Sequence, residues 1–255
     1  MMSNRSYHLE GKVVLVTGGS RGIGLEITRA LLEQNARVSL CGRKQEGLDR
    51  ARAELGADDR LLAVRAHVAK EEDVQNLFDA TMSHFGQLDV LINNVGMNLL
   101  TGAFIDTELA VWQKIIDSNL TGAFLCSRMA AKIMRGREEG KIVSISSVAG
   151  RRAAPGMGIY GIAKAGLEMM TRVLALELSQ YNIQVNAVAP GMVRTDFSKP
   201  FWSNEEILAH AVKAIPLGRI AEPMDVVHLV LFLCSEVSNY ITGQTIMVDG
   251  GSTAI

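Results

Sequence analysis

The chain has 255 residues, enough to bury one large core. Hydrophobic residues make up 48% and charged residues 21%, an ordinary globular balance, and the net charge of −1 gives no electrostatic case for nucleic acid or an acidic membrane as partner. Cys41, Cys126 and Cys234 are widely spaced in apolar runs, which speaks against a disulfide framework and a Cys/His metal site.

Residues 12–17 form a continuous apolar strand of the kind buried on both faces. The strand runs into Gly18-Gly19-Ser20-Arg21-Gly22-Ile23-Gly24, and a helix is predicted over 25–35. Strand, glycine turn and helix together make a pyrophosphate cradle: glycines let the backbone approach, and the helix N-terminus attracts the anion. The second strand, 36–41, is followed by Gly42-Arg43-Lys44, where an NAD-binding unit would carry an acid for the ribose 2′-hydroxyl. The acid is missing. Arg43, with Arg21 from the glycine turn, suits a 2′-phosphate, so the reading favours NADP.

A helix at about 45–55, a third strand over 61–68 and a helix over 70–85 come next. The fourth strand, 88–93, ends in Asn93-Asn94-Val95-Gly96, at the carboxyl end where open α/β sheets bind ligands. One long helix is expected over about 109–134, with Trp112, Ile115, Ile116, Leu120, Ala123 and Phe124 as its apolar face and Asn119 within that face. The fifth strand, 141–147, ends in hydroxyls, and Ser147 precedes Tyr160 by 13 residues.

Tyr160-Gly161-Ile162-Ala163-Lys164 opens a helix whose apolar positions are Ile159, Ile162, Ala163, Gly166, Leu167, Met170, Val173 and Leu174. Residues four apart share a face, so the phenol and the ammonium start one turn from each other. A nearby cation is expected to lower the phenol pKa, which suits general acid–base work on a carbonyl or carbinol oxygen. A sixth strand, 183–188, leads to Pro190-Gly191-Met192-Val193-Arg194-Thr195. The segment at about 194–216, with Phe197, Phe201 and Trp202, reads as a lid loop enclosing a short helix. A helix over 223–234 and a strand over 244–248 finish the chain.

The polar N-terminus, 1–12, lacks the apolar core of a signal peptide, and the Ser252-Thr253-Ala254-Ile255 ending is not a peroxisomal or retention address. No apolar run reaches the ~20 residues of a membrane span. The chain reads as one cytoplasmic domain over 1–255.

With these pieces in order the chain resembles the short-chain dehydrogenase/reductase family over essentially its whole length. The carrying motifs are Thr17-Gly18-x-x-x-Gly22-x-Gly24, Asn93-Asn94-x-Gly96, Asn119, Ser147, Tyr160-x-x-x-Lys164 and Pro190-Gly191-x-x-x-Thr195. The resemblance implies an α/β fold, a Rossmann-like doubly wound parallel sheet of seven strands with helices on both faces. It implies a tetrad of Asn119, Ser147, Tyr160 and Lys164. In the family the Tyr gives a proton to the carbonyl oxygen, Ser holds that oxygen, Lys binds the nicotinamide ribose and lowers the Tyr pKa, and Asn positions a relay water. Gly18, Ser20, Arg21, Gly22, Ile23, Gly24, Arg43, Val68, Asn94, Gly96, Tyr160, Lys164, Pro190, Gly191, Val193 and Thr195 are then the cofactor-binding set, with no metal. Two departures stand out: Val95 where Ala is usual, and His67-Val68 where the third strand usually ends Asp-Val. His67 with Arg43 is similar to an NADPH-preferring carbonyl-reductase branch. The implied activity is reduction of a ketone or aldehyde, or oxidation of a secondary alcohol, with NADP(H). Two rivals are a 3-oxoacyl-carrier-protein reductase and a non-catalytic NADPH-binding regulatory protein. Small and apolar outer faces on the two long helices, and an apolar last strand, point to a homotetramer, with a dimer as the alternative.

Overall fold

A computed structural model describes residues 7–56, 59–99 and 101–254. Parts of the 1–12 segment, and Ile255 of the ending, lie outside the described residues. Seven strands form one parallel sheet in the order β3-β2-β1-β4-β5-β6-β7. They are β1 (Val13–Thr17), β2 (Arg37–Gly42), β3 (Leu61–Arg65), β4 (Val90–Asn93), β5 (Gly140–Ile145), β6 (Ile183–Pro190) and β7 (Thr245–Val248).

The helices are α1 (Gly22–Glu33), α2 (Gln45–Leu55), α3 (Glu71–Phe85), α4 (Leu109–Ile116), α5 (Gly122–Arg135), α6 (Gly158–Leu178), α7 (Lys199–Trp202), α8 (Glu205–Lys213) and α9 (Pro223–Cys234). Two apolar cores explain the unbroken apolar run of β1. Val14 and Val16 point into one, with Ile27 and Leu31 of α1, Leu48 of α2 and Val230 of α9. Val13 and Leu15 point into the other, with Leu77 and Phe78 of α3, Cys126 and Ala130 of α5 and Leu178 of α6. A strand covered on both faces has no polar face to alternate with.

Several predicted elements are corrected. The helix expected over 109–134 is interrupted by a π turn, Asp117–Thr121, between α4 and α5. The reason is Asn119, whose side-chain amide donates to the Ile115 carbonyl four residues back at 2.8 Å, taking the acceptor that a regular helix gives to the backbone N–H. Phe124, placed on the inner face, is 46% exposed beyond that turn. The third strand stops at Arg65, because the His67 N–H leaves the sheet for the Asp73 carboxylate at 2.7 Å. The first helix begins at Gly22, so two of the motif glycines lie inside its first turn. On α6, Ile162 and Val173 are exposed, while Lys164, Glu168 and Thr171 are buried. The lid region carries α7 and α8 where one short helix was expected.

The foot of the sheet is tied by Asp89, which is buried. Its carboxylate accepts from the Val13 N–H at 2.7 Å, Gln87 Nε2 at 2.8 Å and Arg137 Nη2 at 3.0 Å. Asp89→Ala leaves a buried N–H and a guanidinium without their acceptor, which costs about 2–3 kcal/mol. Urea unfolding should show the midpoint falling with an unchanged slope, and a midpoint equal to wild type would refute this role.

Candidate active site

A parallel sheet delivers all its carboxyl ends to one rim, and order reverses between β1 and β4, which opens a crevice there. One cavity of about 590 Å³ follows that rim. Gly18, Ser20, Arg21, Gly22, Ile23 and Gly24 line it after β1, and Arg43 after β2. Val68 lines it beyond β3, Asn94 and Gly96 after β4, and Ser147 after β5. Tyr160 and Lys164 enter from α6, and Pro190, Gly191, Val193 and Thr195 from the end of β6. Asn119 does not line the cavity. It is fully buried behind Gly96, where an added Cβ would lie 3.3 Å from its Oδ1.

The first turn is clamped to the fourth. Thr17 Oγ1 accepts the Asn94 N–H at 3.0 Å, and Asn94 Nδ2 donates to the Thr17 and Gly18 carbonyls at 3.0 and 3.2 Å. Gly18 has φ +67°, and a Cβ on Gly24 would fall 2.4 Å from Asn94 Nδ2 and from the Gly18 carbonyl oxygen. Only glycine fits that approach. Helix α1 starts from Arg21 with no side-chain cap, so its first N–H groups face the cavity's end unpaired by a cap. At the neighbouring turn a Cβ on Gly42 would come 3.0 Å from Ser20 Oγ and 3.3 Å from Leu48 Cδ2. A carboxylate residue at position 42 is thus crowded as well as absent. An uncapped helix end, a glycine cradle and two arginines fit the phosphates of a dinucleotide.

Glycines also seat the β5 turn on α6. A Cβ on Gly161 would sit 2.7 Å from the Ala149 carbonyl oxygen, and one on Gly150 would sit 3.0 Å from the Lys164 backbone and from Glu168 Oε1. Ser147 and Tyr160 are thereby brought together. Ser147 Oγ accepts from the Ala149 N–H at 3.2 Å. Lys164 Nζ donates to the Ile145 carbonyl at 2.9 Å and stands 5.5 Å from the Tyr160 ring centre.

The lowered phenol pKa expected from the sequence is corrected. Burial pushes Tyr160 up to about 12, against which the nearby Ser147 hydroxyl acts weakly. Burial also brings Lys164 down to about 8. Desolvation disfavours the charged form of each group.

The Asn119 amide is fully engaged: Nδ2 donates to the Met97 carbonyl at 2.7 Å and to Ile115, and Oδ1 accepts the Met97 N–H at 3.2 Å. Its side chain therefore fixes the loop after β4. His67 turns its ring back on its own chain, with Nδ1 accepting from the Ala69 N–H at 3.3 Å.

Sequence reading missed Arg152, Met157 and Ser252, which line the same cavity. Arg151-Arg152 in an otherwise small and apolar stretch was the available signal. Phe197, from the segment after Thr195, also lines the cavity, and its ring centre is 6.1 Å from that of Tyr160. Trp202 Nε1 anchors that segment by donating to the Thr195 carbonyl at 3.0 Å, and the Arg194 guanidinium stacks 5.2 Å over the indole. Among the described residues no group of three or more His, Cys, Asp or Glu could hold a metal ion, and no helix is long and apolar enough to cross a membrane.

A family model described as enoyl-(acyl carrier protein) reductase matches residues 18–253. Dehydrogenase/reductase SDR family member 4 of Oryctolagus cuniculus is 36% identical over 245 residues, covering 96% of this chain and 94% of that protein. The Homo sapiens protein of the same name is also 36% identical, covering 96% of this chain and 88% of its own length. Among solved structures, a candidate short-chain alcohol dehydrogenase from Sinorhizobium meliloti superposes with a TM-score of 0.91 at 37% identity, covering 97% of this chain and 98% of that one. A candidate gluconate dehydrogenase from Agrobacterium tumefaciens gives 0.92 at 36% identity, covering 98% of each. Similarity of that extent, in sequence and in backbone, makes this chain a member of the short-chain dehydrogenase/reductase family, oxidoreductases that use nicotinamide cofactors.

Proposed function

We propose that this protein is an NADP(H)-dependent oxidoreductase acting on a ketone or aldehyde and its secondary alcohol, with Tyr160 as general acid and base. The observation that carries it is the convergence of Ser147, Tyr160 and Lys164 in the cavity that the glycine turn opens. A bound nicotinamide dinucleotide supplies or takes up the hydride. The chain's part is binding and proton handling. Gly18, Ser20, Gly22, Ile23 and Gly24 cradle the phosphates at the start of α1, with Asn94, Gly96 and Val68 along the crevice and Pro190, Gly191, Val193 and Thr195 at its far end. Tyr160 stays protonated at neutral pH because burial raises its pKa, and it donates to the carbonyl oxygen as that oxygen gains charge. Ser147 holds the same oxygen by a hydrogen bond. Lys164, still largely charged at neutral pH with a pKa of about 8, favours the phenolate left behind and offers its other N–H groups to ribose hydroxyls. Asn119 fixes the Gly96 loop beside Lys164. The segment at about 194–216 serves as lid over a single domain spanning 1–255.

The relatives are named for dehydrogenase, reductase and alcohol or gluconate dehydrogenase activities, which agrees with carbonyl–carbinol chemistry. The family model's carrier-protein description keeps acyl-carrier substrates as a second reading. Free, buried Cys41, Cys126 and Cys234 suit a reducing compartment such as the cytoplasm.

Tyr160→Phe should keep the fold and NADPH binding and lose at least the ~10²–10⁴-fold of turnover that a general acid supplies. Near wild-type reduction by this variant, followed through NADPH absorbance, would exclude the mechanism.

Arg43→Ala should weaken NADPH by about 10–100-fold, the worth of a charge-assisted contact, and leave NADH affinity nearly unchanged. Fluorescence titration of both cofactors checks it, and equal affinity of wild type for the two would refute NADP preference.

Ile162, Met169, Val173 and Leu176 of α6 and Phe124 of α5 are exposed apolar residues, and β7 is a sheet edge. We propose that a homotetramer covers them. Light scattering should give four times the 27.6 kDa of one chain. Twice that mass would remove the strand interface, and the single-chain mass would remove both.

A further inference from the structure

Several cations line the cavity. Arg21 and Arg43 stand at the β1 and β2 end, where the glycine cradle lies, and Lys164 lies under Tyr160. Arg152 lines the cavity from the turn after β5, three strand positions from β2, on the side of Ser147 and the lid. Its neighbour Arg151 is neutralised by the buried carboxylate of Glu168. Arg152 makes no ion pair among the described residues. One arm is fixed, since Nη1 donates to the Ser252 carbonyl at 3.1 Å, and its backbone N–H holds the Val148 carbonyl at 3.0 Å.

Two carboxylates bear on this arginine, Asp249 and Asp196, and the second lines the same cavity. Asp249, close to Ser252 in the chain, spends its carboxylate on Gly251 N, Ser252 Oγ, Thr253 N and Thr253 Oγ1. Asp196, on the exposed rim of the lid, makes no ion pair among the described residues. The cavity lining also includes the apolar Ala149, Ala154 and Met157. A guanidinium carries five donors in a planar fork that matches a carboxylate. Arg152 is an exposed residue that lines the cavity, and its one side-chain bond, to the Ser252 carbonyl, leaves the other donors of that fork without a protein partner among the described residues.

We propose that Arg152 anchors a carboxylate on the substrate, so that the enzyme's substrate class is an oxo acid, or the hydroxy acid it becomes, with the reacting carbonyl directed at Tyr160 and Ser147. This rests on the oxidoreductase reading above. Arg152 acts here as a specificity-determining residue. The apolar lining residues carry the linking carbons, and the anchored fork sets how far the carboxylate stands from the phenol.

The test uses the full chain with NADPH and a series of oxo acids of increasing spacing between carbonyl and carboxylate, each paired with its methyl ester. Wild type, R152Q and R152K are compared by kcat/KM, and NADPH affinity is measured by fluorescence in all three. The acid-to-ester ratio at the best spacing should fall by ~10–100-fold in R152Q, mainly through KM for the acid, and R152K should recover part of it, having the charge without the fork. A ratio that R152Q leaves unchanged overturns the inference while the oxidoreductase reading stands. Loss of NADPH affinity in R152Q matching the loss of turnover also overturns it, by moving Arg152 to the cofactor. No NADPH oxidation with any acid or ester would sink the oxidoreductase reading, and this inference with it.

Discussion

Lys164 holds an ammonium group in the interior with one carbonyl, that of Ile145, as its hydrogen-bond partner. Burying a charge without a counter-ion is expensive, and the carboxylate one turn along, Glu168, is already given to Arg151 and to the Ser146 hydroxyl. The strain shows as a pKa brought down to about 8, and the same desolvation takes Tyr160 up to about 12. The two shifts oppose each other in effect. A neutral phenol sits beside a cation that would stabilise its anion.

That arrangement needs the backbone close on every side, and the glycines are where it gets close. Gly96 lies against Asn119 and Lys164, Gly150 against the Lys164 backbone, and Gly161 against the Ala149 carbonyl. Each contact sets one edge of the Ser147–Tyr160–Lys164 triangle. At the cradle end Thr17 and Asn94 do the same for the two turns that flank the crevice. A parallel sheet of seven strands brings seven carboxyl ends to one rim, and these side chains lock neighbouring turns together so that a long ligand meets one surface.

Much of this was legible in the sequence. Apolar strands at 12–17 and 183–188 can be read because both sheet faces are covered, and the glycine turn can be read because its spacing has a mechanical meaning. Four features were hidden for physical reasons. The π turn leaves the apolar periodicity of 109–134 almost intact, since Asn119 itself replaces the lost backbone bond. The inner face of α6 is partly polar, so a search for apolar spacing chose Ile162 and Val173 in place of Lys164, Glu168 and Thr171. The direction of the Tyr160 shift depends on burial depth, which no local pattern encodes. Arg152 lies in a turn with no periodicity, and its value depends on Arg151 being paired elsewhere, a contact made across 17 residues with Glu168.

Helix α6 mixes polar and apolar residues on both faces. Its sheet-facing side carries Lys164, Glu168 and Thr171 among Leu167, Ala175 and Leu178, whereas Ile162, Met169, Val173 and Leu176 face outward. Polar contacts such as Arg151–Glu168 and Lys164–Ile145 add to apolar burial in holding it on the sheet. Polar contacts are directional and fix position well, but they supply little net free energy over solvation. A further apolar stripe lies on the outer face. A second copy of the chain laid along that stripe would bury it and press α6 against the β5 turn. The register of Tyr160 against Ser147 would then depend on assembly, so the oligomer and the catalytic geometry become one structural problem, joined through a single helix.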